Sequence, residues 1–594
     1  MDKKNTVIGV LLIVAAVASY IAFPPVAPQP PPAPAIETAP TTHPIARNTS
    51  PASGPASSPH DATLTATTRS VAPAALTKLR NEFVEVSFTN AGGAIDSIKL
   101  LKHAAERGKD ERYILNQFHA APALSFVDFP GVDKDARYEL VSSRSSEIVY
   151  RALIDNQLEV IRRYKLLGDG SGDPYQIRHE TTFRNLGNQP LPLPRGAINI
   201  GTAAPVNAED YGLYLNVGYW DGEDFDHIER SKLEGGGFFS SFGFGSKSDL
   251  PYLDRTSSIQ WASVKNQFFA SVLTPDEPGT GIRIARVKVY PQAPVEDHRA
   301  YGVTGITYFE LKPLAAHASL TWGATYFAGP KEYTRLSNTE NFKKDEDKAM
   351  QFGFFGWFAK LLITIMSKVH SWIGGDSLAW GWGWSIVITT LFLKIVFVPF
   401  TLAASRSSKR MAKLAPMMKE LREKHKDSPQ KAQEAMMRLY KEYKVNPLGG
   451  CIPVLITIPF FIGFFSMLQS TSELRFAAFL WAGDLSAPDT IARIMGFPLN
   501  IMPLLMGGTM IVQMRLTPTP TTDNMQATMF KIMPWIFTLF CYNFSCALAL
   551  YSTVNGLFTI GQQVFINRLP DPELEKRVLV DPKIKNVTPK KKKK

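Results

Sequence analysis

Five apolar runs crowd the C-terminal third of the chain, at residues 384–404, 449–470, 497–514, 529–544 and 547–566. A helix rises about 1.5 Å per residue, so runs of this length approach or reach the roughly 30 Å of a bilayer's hydrocarbon core. A sixth run, 6–23, follows Lys3 and Lys4 and carries no charge. A cleaved leader usually has an apolar core of only about 7–15 residues, so an uncleaved anchor is expected there. These runs exclude a purely soluble protein. The whole-chain averages, 45% hydrophobic and 20% charged over 594 residues with a mean hydropathy of −0.07, conceal them by mixing them with a polar middle. The three cysteines, Cys451, Cys541 and Cys546, lie in or beside apolar runs, which excludes a disulfide scaffold or a Cys-rich zinc site.

The net charge of +12 raises the question of nucleic-acid binding, and the placement of the cations answers against it. Segment 405–446 holds twelve Lys and Arg against five acids, and the tail after Asn567 holds ten more. Segment 471–498 has only Arg475 and Arg493. Short cation-rich connections stay in the cytoplasm, so this pattern predicts six crossings with both termini inside and the large middle region outside. Residues 350–374 could pass for a seventh. Lys360, Thr364, Ser367, Lys368 and Ser371 share one helical face opposite Phe358, Leu361, Leu362, Ile365, Val369 and Trp372, which predicts a helix lying in the interface instead.

Thirteen prolines between Pro24 and Pro73, among Ala, Thr and Ser, cannot build a core and predict an extended tether. Short alternating runs follow, such as FVEVSF (83–88), EIVYRALI (147–154), LEVIRRYKL (158–166) and IRIARVKVY (282–290). Period-2 alternation between turn residues predicts an antiparallel β-sandwich. Its histidines, His103, His119, His179, His227, His298 and His317, lack metal-ligand spacing, and no HExxH or GxSxG occurs. Gly243, Gly245, Ser246, Lys247 and Ser248 lack the adjacent Gly-Lys of a phosphate loop. No catalytic group, cofactor or metal is therefore expected.

Lys394 stands mid-run, ten residues after Trp384 and twelve before Arg406, beyond ordinary snorkelling reach. No Asp or Glu lies in another run to pair with it, so a hydrated, net-positive groove is expected around it. Pro399, Pro453, Pro459, Pro503 and Pro534 are expected to break the runs, and Thr390, Thr457, Asn500, Gln513, Asn555 and Gln562 add polar groups. In segment 405–446, Met411, Leu414, Met418 and Leu421 form one stripe, and Ala432, Met436, Leu439 and Tyr443 a second. Ser428 and Pro429 start the second helix, so a basic antiparallel hairpin is predicted, facing anionic lipid or an acidic, RNA-rich partner.

Over essentially its whole length the chain resembles the YidC family of membrane protein insertases. The most specific stretches are LYKEYKVNPLGGCIPVLITIPFFIGFFSML (439–468) and ELRFAAFLWAGDLSAPD (473–489), supported by FTNAGGAIDSIKL (88–100) and FAGPKEY (327–333). The resemblance implies a multi-span α-helical membrane protein of the bacterial inner membrane, with six transmembrane helices, five forming the core, and a large periplasmic antiparallel β-sandwich. It implies a groove open to cytoplasm and lipid, with Lys394, Thr390, Phe461, Met506, Phe540 and Tyr551 at the substrate-contacting positions. Lys394 replaces the family's usual arginine, keeping the charge without the bidentate fork. Ser552, Thr457 and Ser545-Cys546-Ala547 are further departures. The partners it implies are nascent membrane proteins, the ribosome, the Sec translocation channel and anionic lipid, with no specific nucleic-acid sequence.

The expected organisation is an anchor at 1–23, a tether at 24–75, a β-sandwich at 76–340, an interfacial helix at 341–376, a five-helix core at 377–566 containing the hairpin 405–446, and a basic tail at 567–594. The expected activity is insertion and folding of membrane proteins without nucleotide hydrolysis. Two rivals are a small-anion secondary transporter or channel using Lys394, which should show inverted repeats, and a membrane-anchored carbohydrate-processing enzyme.

Overall fold

The computed structural model describes residues 74–574 apart from 169, 208–209, 235–249, 295–296, 427, 444, 446–451, 518–523, 571 and 573. The expected anchor, nearly all of the tether, the loop at 243–248 and most of the basic tail lie outside the described residues.

The β-rich part is a sandwich. Alternating burial along Glu147–Ile154 and Leu158–Leu166 places every second side chain in the core, as period-2 sequence demands. These strands belong to a nine-stranded antiparallel sheet running from Phe225–Glu229 at one edge to Glu139–Ser143 at the other. A four-stranded sheet, in the order Tyr252–Ile259, Gly279–Lys288, Tyr301–Phe309 and Gly196–Ala203, packs on its face. Gly305 marks the closest approach: a Cβ there would meet Ile200, Val217 and Val264 at 3.1 Å each, two of them from the facing sheet. Trp261, Phe183, Phe269, Phe327 and Tyr164 fill the interior. A third sheet of four strands, from Leu76–Arg80 to Arg112–Leu115, completes the domain.

Helix α1 (Gly356–Trp372) follows. Its buried face is Phe358, Ala359, Leu362, Ile363 and Met366, while Trp357, Leu361 and Trp372 are exposed. The apolar stripe expected from the sequence is thus split between packing and surface. Gly463 explains the choice, since a Cβ there would lie 2.7 Å from the Phe358 ring.

Helix α2 (Gly381–Lys424) is a single helix of 44 residues, about 66 Å long. Its outer half is the apolar run around Lys394 and its far half is the basic segment. Helix α3 (Pro429–Glu442) folds back on it, with Ser428 at the N-cap position and Pro429 in the first turn. Met411, Leu414 and Met418 of α2 meet Leu439 and Val445 in a small separate core. Helices α4 (Ile452–Ser470), α5 (Ile501–Leu516), α6 (Asn524–Phe540) and α7 (Cys546–Arg568) complete the bundle. Helix α7 packs on α5, α2 and α4. Gly556 of α7 and Gly507 of α5 admit the close contacts, since added Cβ atoms would lie 2.5 Å from Thr509 Oγ1 and 2.3 Å from Thr538 Oγ1.

The expectation that prolines break the runs is corrected. Pro399, Pro416, Pro459 and Pro534 lie inside continuous helices. Side-chain hydroxyls bond backbone carbonyls beside two of them: Thr401 Oγ1 donates to Phe397 O and Val398 O, at 3.2 and 3.0 Å, and Thr538 Oγ1 to Pro534 O at 2.7 Å.

Among the described residues, one helix, Gly381–Lys424, is both long and apolar enough to cross a bilayer. Ile458–Ser470, Ile501–Leu516 and Lys531–Phe540 are shorter apolar segments.

Candidate functional site

Lys394 is half-buried on α2, and its Nζ donates to Thr559 Oγ1 of α7 at 3.0 Å. Thr559 in turn donates to Asn555 O, 2.7 Å away. Among the described residues no carboxylate pairs with Lys394. Two turns further along, Gln562 Nε2 donates to Thr401 Oγ1. Beyond that, Lys409 Nζ and Lys413 Nζ donate to Ile566 O at 2.9 Å and Pro572 O at 3.2 Å. Those lysines satisfy carbonyls at and just past the C-terminus of α7, where the helix dipole also favours cations. A polar seam therefore runs along the α2–α7 contact from Lys394, in the apolar half of α2, to the basic hairpin. Asn555 and Gln562 were legible in sequence as polar span residues. Thr401 and Thr559 were missed, although 394 and 401 share one face of α2, and 555, 559 and 562 one stripe of α7.

The other expected positions fall into three groups. Thr390, one turn before Lys394, is buried and its Oγ1 donates to Ile386 O at 2.7 Å. Tyr551 is buried and stacks on Phe464, ring centroids 4.0 Å apart, while Met506 is buried on α5. Phe461 and Phe540 belong to an aromatic chain: Phe461 reaches Phe537 at 5.4 Å and Phe465 at 6.3 Å, Phe465 reaches Phe544 at 5.5 Å, and Phe544 reaches Phe540 at 5.2 Å. Phe540 is exposed and Phe461 half-buried. The six positions thus comprise a polar contact, a buried layer and an aromatic edge.

The end of the bundle nearest the β-domain is covered by segment 471–500. Asp489 accepts from Trp481 Nε1 at 2.9 Å and from Met502 N, in the first turn of α5, at 2.7 Å. Cys546 N and Ala547 N, opening α7, donate to Ala487 O and Leu485 O, both at 2.8 Å. The cover is also tied to the β-domain: Arg475 donates to Ala104 O at 2.6 Å and Ala105 O at 2.8 Å, and its guanidinium lies over Tyr113, Phe268 and Phe269.

A partly buried ionic cluster sits at this joint. Arg335 bonds Asp173 at 2.6 Å and Glu332 at 2.9 Å. Burial, then the neighbouring Glu332, pushes the Glu473 carboxyl up to about 7, and its Oε1 has no hydrogen-bond partner. Burial pulls Lys331 down to about 7. Among the described residues no group of three or more His, Cys, Asp or Glu side chains could hold a metal ion.

Residues 76–365 match the YidC periplasmic domain, and residues 373–573 match the family described as 60Kd inner membrane protein. A membrane protein insertase YidC from Burkholderia lata is 30% identical over 522 residues, covering 84% of this chain and 85% of that protein. The Burkholderia multivorans insertase is 29% identical over 601 residues, covering 96% and 98%. A crystal structure of an active YidC insertase with its first transmembrane domain resolved is similar at 18% identity, covering 84% of this chain and 94% of that one, with a TM-score of 0.32. Two family matches that together span both the β-domain and the helical bundle, and relatives aligned over most of their length, place this chain in the YidC family of bacterial inner-membrane protein insertases.

Proposed function

We propose that this chain inserts and helps fold nascent membrane proteins through the groove side of the α2–α7 seam, without nucleotide hydrolysis. The observation that carries the reading is Lys394: a cation on an apolar stretch, held by a neutral threonine, with no carboxylate partner among the described residues. Its field remains available to a client's polar or acidic flank. Charge burial in hydrocarbon is costly, so temporary solvation of that flank lowers the barrier to crossing. The client's apolar part slides into lipid past Phe461 and Phe540. The buried Thr390, Met506 and Tyr551 meet it as the bundle parts. Burial of roughly 20 apolar residues drives the step.

Six crossings, with both termini and segment 405–446 in the cytoplasm, complete the proposal. Exposed large apolar side chains on α2 (Phe392, Ile395, Phe400), α6 (Trp535, Leu539, Phe540) and α7 (Leu557, Phe565) support a lipid-facing perimeter. The basic hairpin would meet the ribosome and anionic headgroups, and the Sec channel would be a neighbour during co-translational insertion. The test is reconstitution of the purified chain in protein-free, nucleotide-free vesicles with a short one-span client. Protection of that client from added protease is expected. Protection no greater than in empty vesicles would refute the reading.

A further inference from the structure

Thr490–Ile494 and Phe497–Asn500 pair as an antiparallel hairpin in which Ile494 faces Phe497, leaving Met495 and Gly496 as a two-residue turn. Both turn residues have positive φ, 52° and 85°. Such turns favour Asn-Gly or Asp-Gly, because a short polar side chain tolerates the left-handed region and bonds its own backbone. Here the first position is a methionine, and it is fully exposed, alongside exposed Ile491, Ile494 and Phe497. In water the left-handed backbone conformation costs free energy and the exposed methionine side chain returns nothing against it. In an apolar medium burial of that side chain offsets the cost.

The base of the hairpin is held firmly. Tyr542 Oη donates to Pro498 O at 2.7 Å, Asn500 Nδ2 donates to Tyr542 O at 2.8 Å, and Thr490 Oγ1 donates to Asn500 Oδ1 at 2.7 Å. The strand then runs directly into α5. That helix has 16 residues, about 24 Å, some 6 Å short of a hydrocarbon core. The four residues of the preceding strand span about 13 Å and more than cover the deficit. Exposed Trp380 and Trp384, packed on Phe479 of the same cover, and exposed Trp481 mark a tryptophan belt at this end of the bundle.

We propose that the 490–500 hairpin is a membrane-surface anchor whose tip, Ile494-Met495-Gly496-Phe497, is immersed at the boundary of headgroups and acyl chains in the leaflet nearest the β-domain. Among the described residues no third strand lies beside the hairpin, and backbone groups at its tip meet water and headgroups at that boundary. A few apolar side chains on one turn form a wedge, far smaller than the roughly 800 Å² per partner of a stable protein interface, so the occupant is lipid. The inference rests on the reading of α5 as a crossing.

The test places single cysteines, in a full-length chain whose native cysteines are replaced by alanine, at Met495, Ile494, Leu505 in α5 and exposed Glu106 in the β-domain. Each is labelled with nitrobenzoxadiazole in nanodiscs free of other proteins. At 494 and 495, blue-shifted emission and a roughly twofold or greater drop with lipids nitroxide-labelled near the headgroup are expected, with little quenching by aqueous iodide. Leu505 should respond to deeply placed nitroxides and Glu106 only to iodide. Water-like behaviour at both 494 and 495 with a quenched Leu505 would overturn the anchor alone. A water-exposed Leu505 would overturn the crossing and the anchor together. Shielding of 495 that appears only when a client is added would overturn lipid in favour of protein.

Discussion

Replacing Lys394 by leucine separates the field of the lysine from its place in the fold. Lys394 is half-buried and bonded to Thr559 at 3.0 Å, so it is partly shielded and not sealed, and an effective dielectric of about 40 suits it better than one of about 20. A client carboxylate about 5 Å away then gains about 1.7 kcal/mol, worth about 15- to 20-fold in rate if the contact is made only at the barrier. Leucine also removes a charge costing about 2.5–3.5 kcal/mol in the middle of a span, so the variant should fold at least as well as the parent. Insertion in vesicles of two matched clients, differing only in an acidic or uncharged flank, provides the readout. The acidic client should slow by about 15- to 20-fold and the uncharged one by less than about twofold. Lys394→Arg should retain both rates, and Thr559→Val, which leaves the charge in place, should not discriminate between clients. Undiminished insertion of both clients by the leucine variant would reduce Lys394 to a packing residue.

The joint between the β-domain and the bundle should be pH-sensitive in two directions. Glu473, raised to about 7 from an unfolded value near 4.5, contributes its full stability below about pH 4.5 and loses it as pH rises to about 7, a fall of about 3 kcal/mol. Glu473→Gln should flatten that slope in thermal melts in detergent, and an unchanged slope would show the carboxyl to be ordinary. Lys331, lowered to about 7 from about 10.5, contributes its stability at high pH and loses it as pH falls to about 7, so Lys331→Met should flatten the alkaline limb of the same melts. Arg475→Ala should cost about 2–4 kcal/mol by removing two charged hydrogen bonds and aromatic stacking, seen as faster hydrogen exchange at residues 104–112 and 475–487. Gly556→Val, with Thr509 Oγ1 only 2.5 Å from a new Cβ, should force α7 from α5 and lower the melting temperature, whereas Gly508→Ala, which meets nothing within 4 Å, should not.

Strands with one wet face announced themselves. EIVYRALI and LEVIRRYKL alternate because every second residue meets solvent, and they form strands of those bounds. Gly196–Ala203 is buried along its whole length and carries no alternation, so its place inside the sandwich came from the fold alone. The two stripes of the basic hairpin were visible because hairpin packing depends on local periodicity. The rotation of α1 was not, because the space for Phe358 is created by Gly463, a residue about a hundred positions away. Lys394 stood out because a charge in an apolar run is rare. Thr559 did not, because threonine is commonplace in spans and only its register with Lys394 gives it meaning.

The fastening of the β-domain also bears on how freely its sequence can drift. Arg475 grips two carbonyl oxygens, those of Ala104 and Ala105, and Ser472 N meets the carbonyl of Lys331. The acceptors are backbone atoms, present whatever side chain follows. The loop around 104 and 105 can therefore exchange residues through many generations while keeping its hold on the bundle, provided its path is preserved, whereas position 475 has no such latitude. Saturation mutagenesis should register this asymmetry as broad tolerance on one side of the contact and near-exclusive retention of arginine on the other.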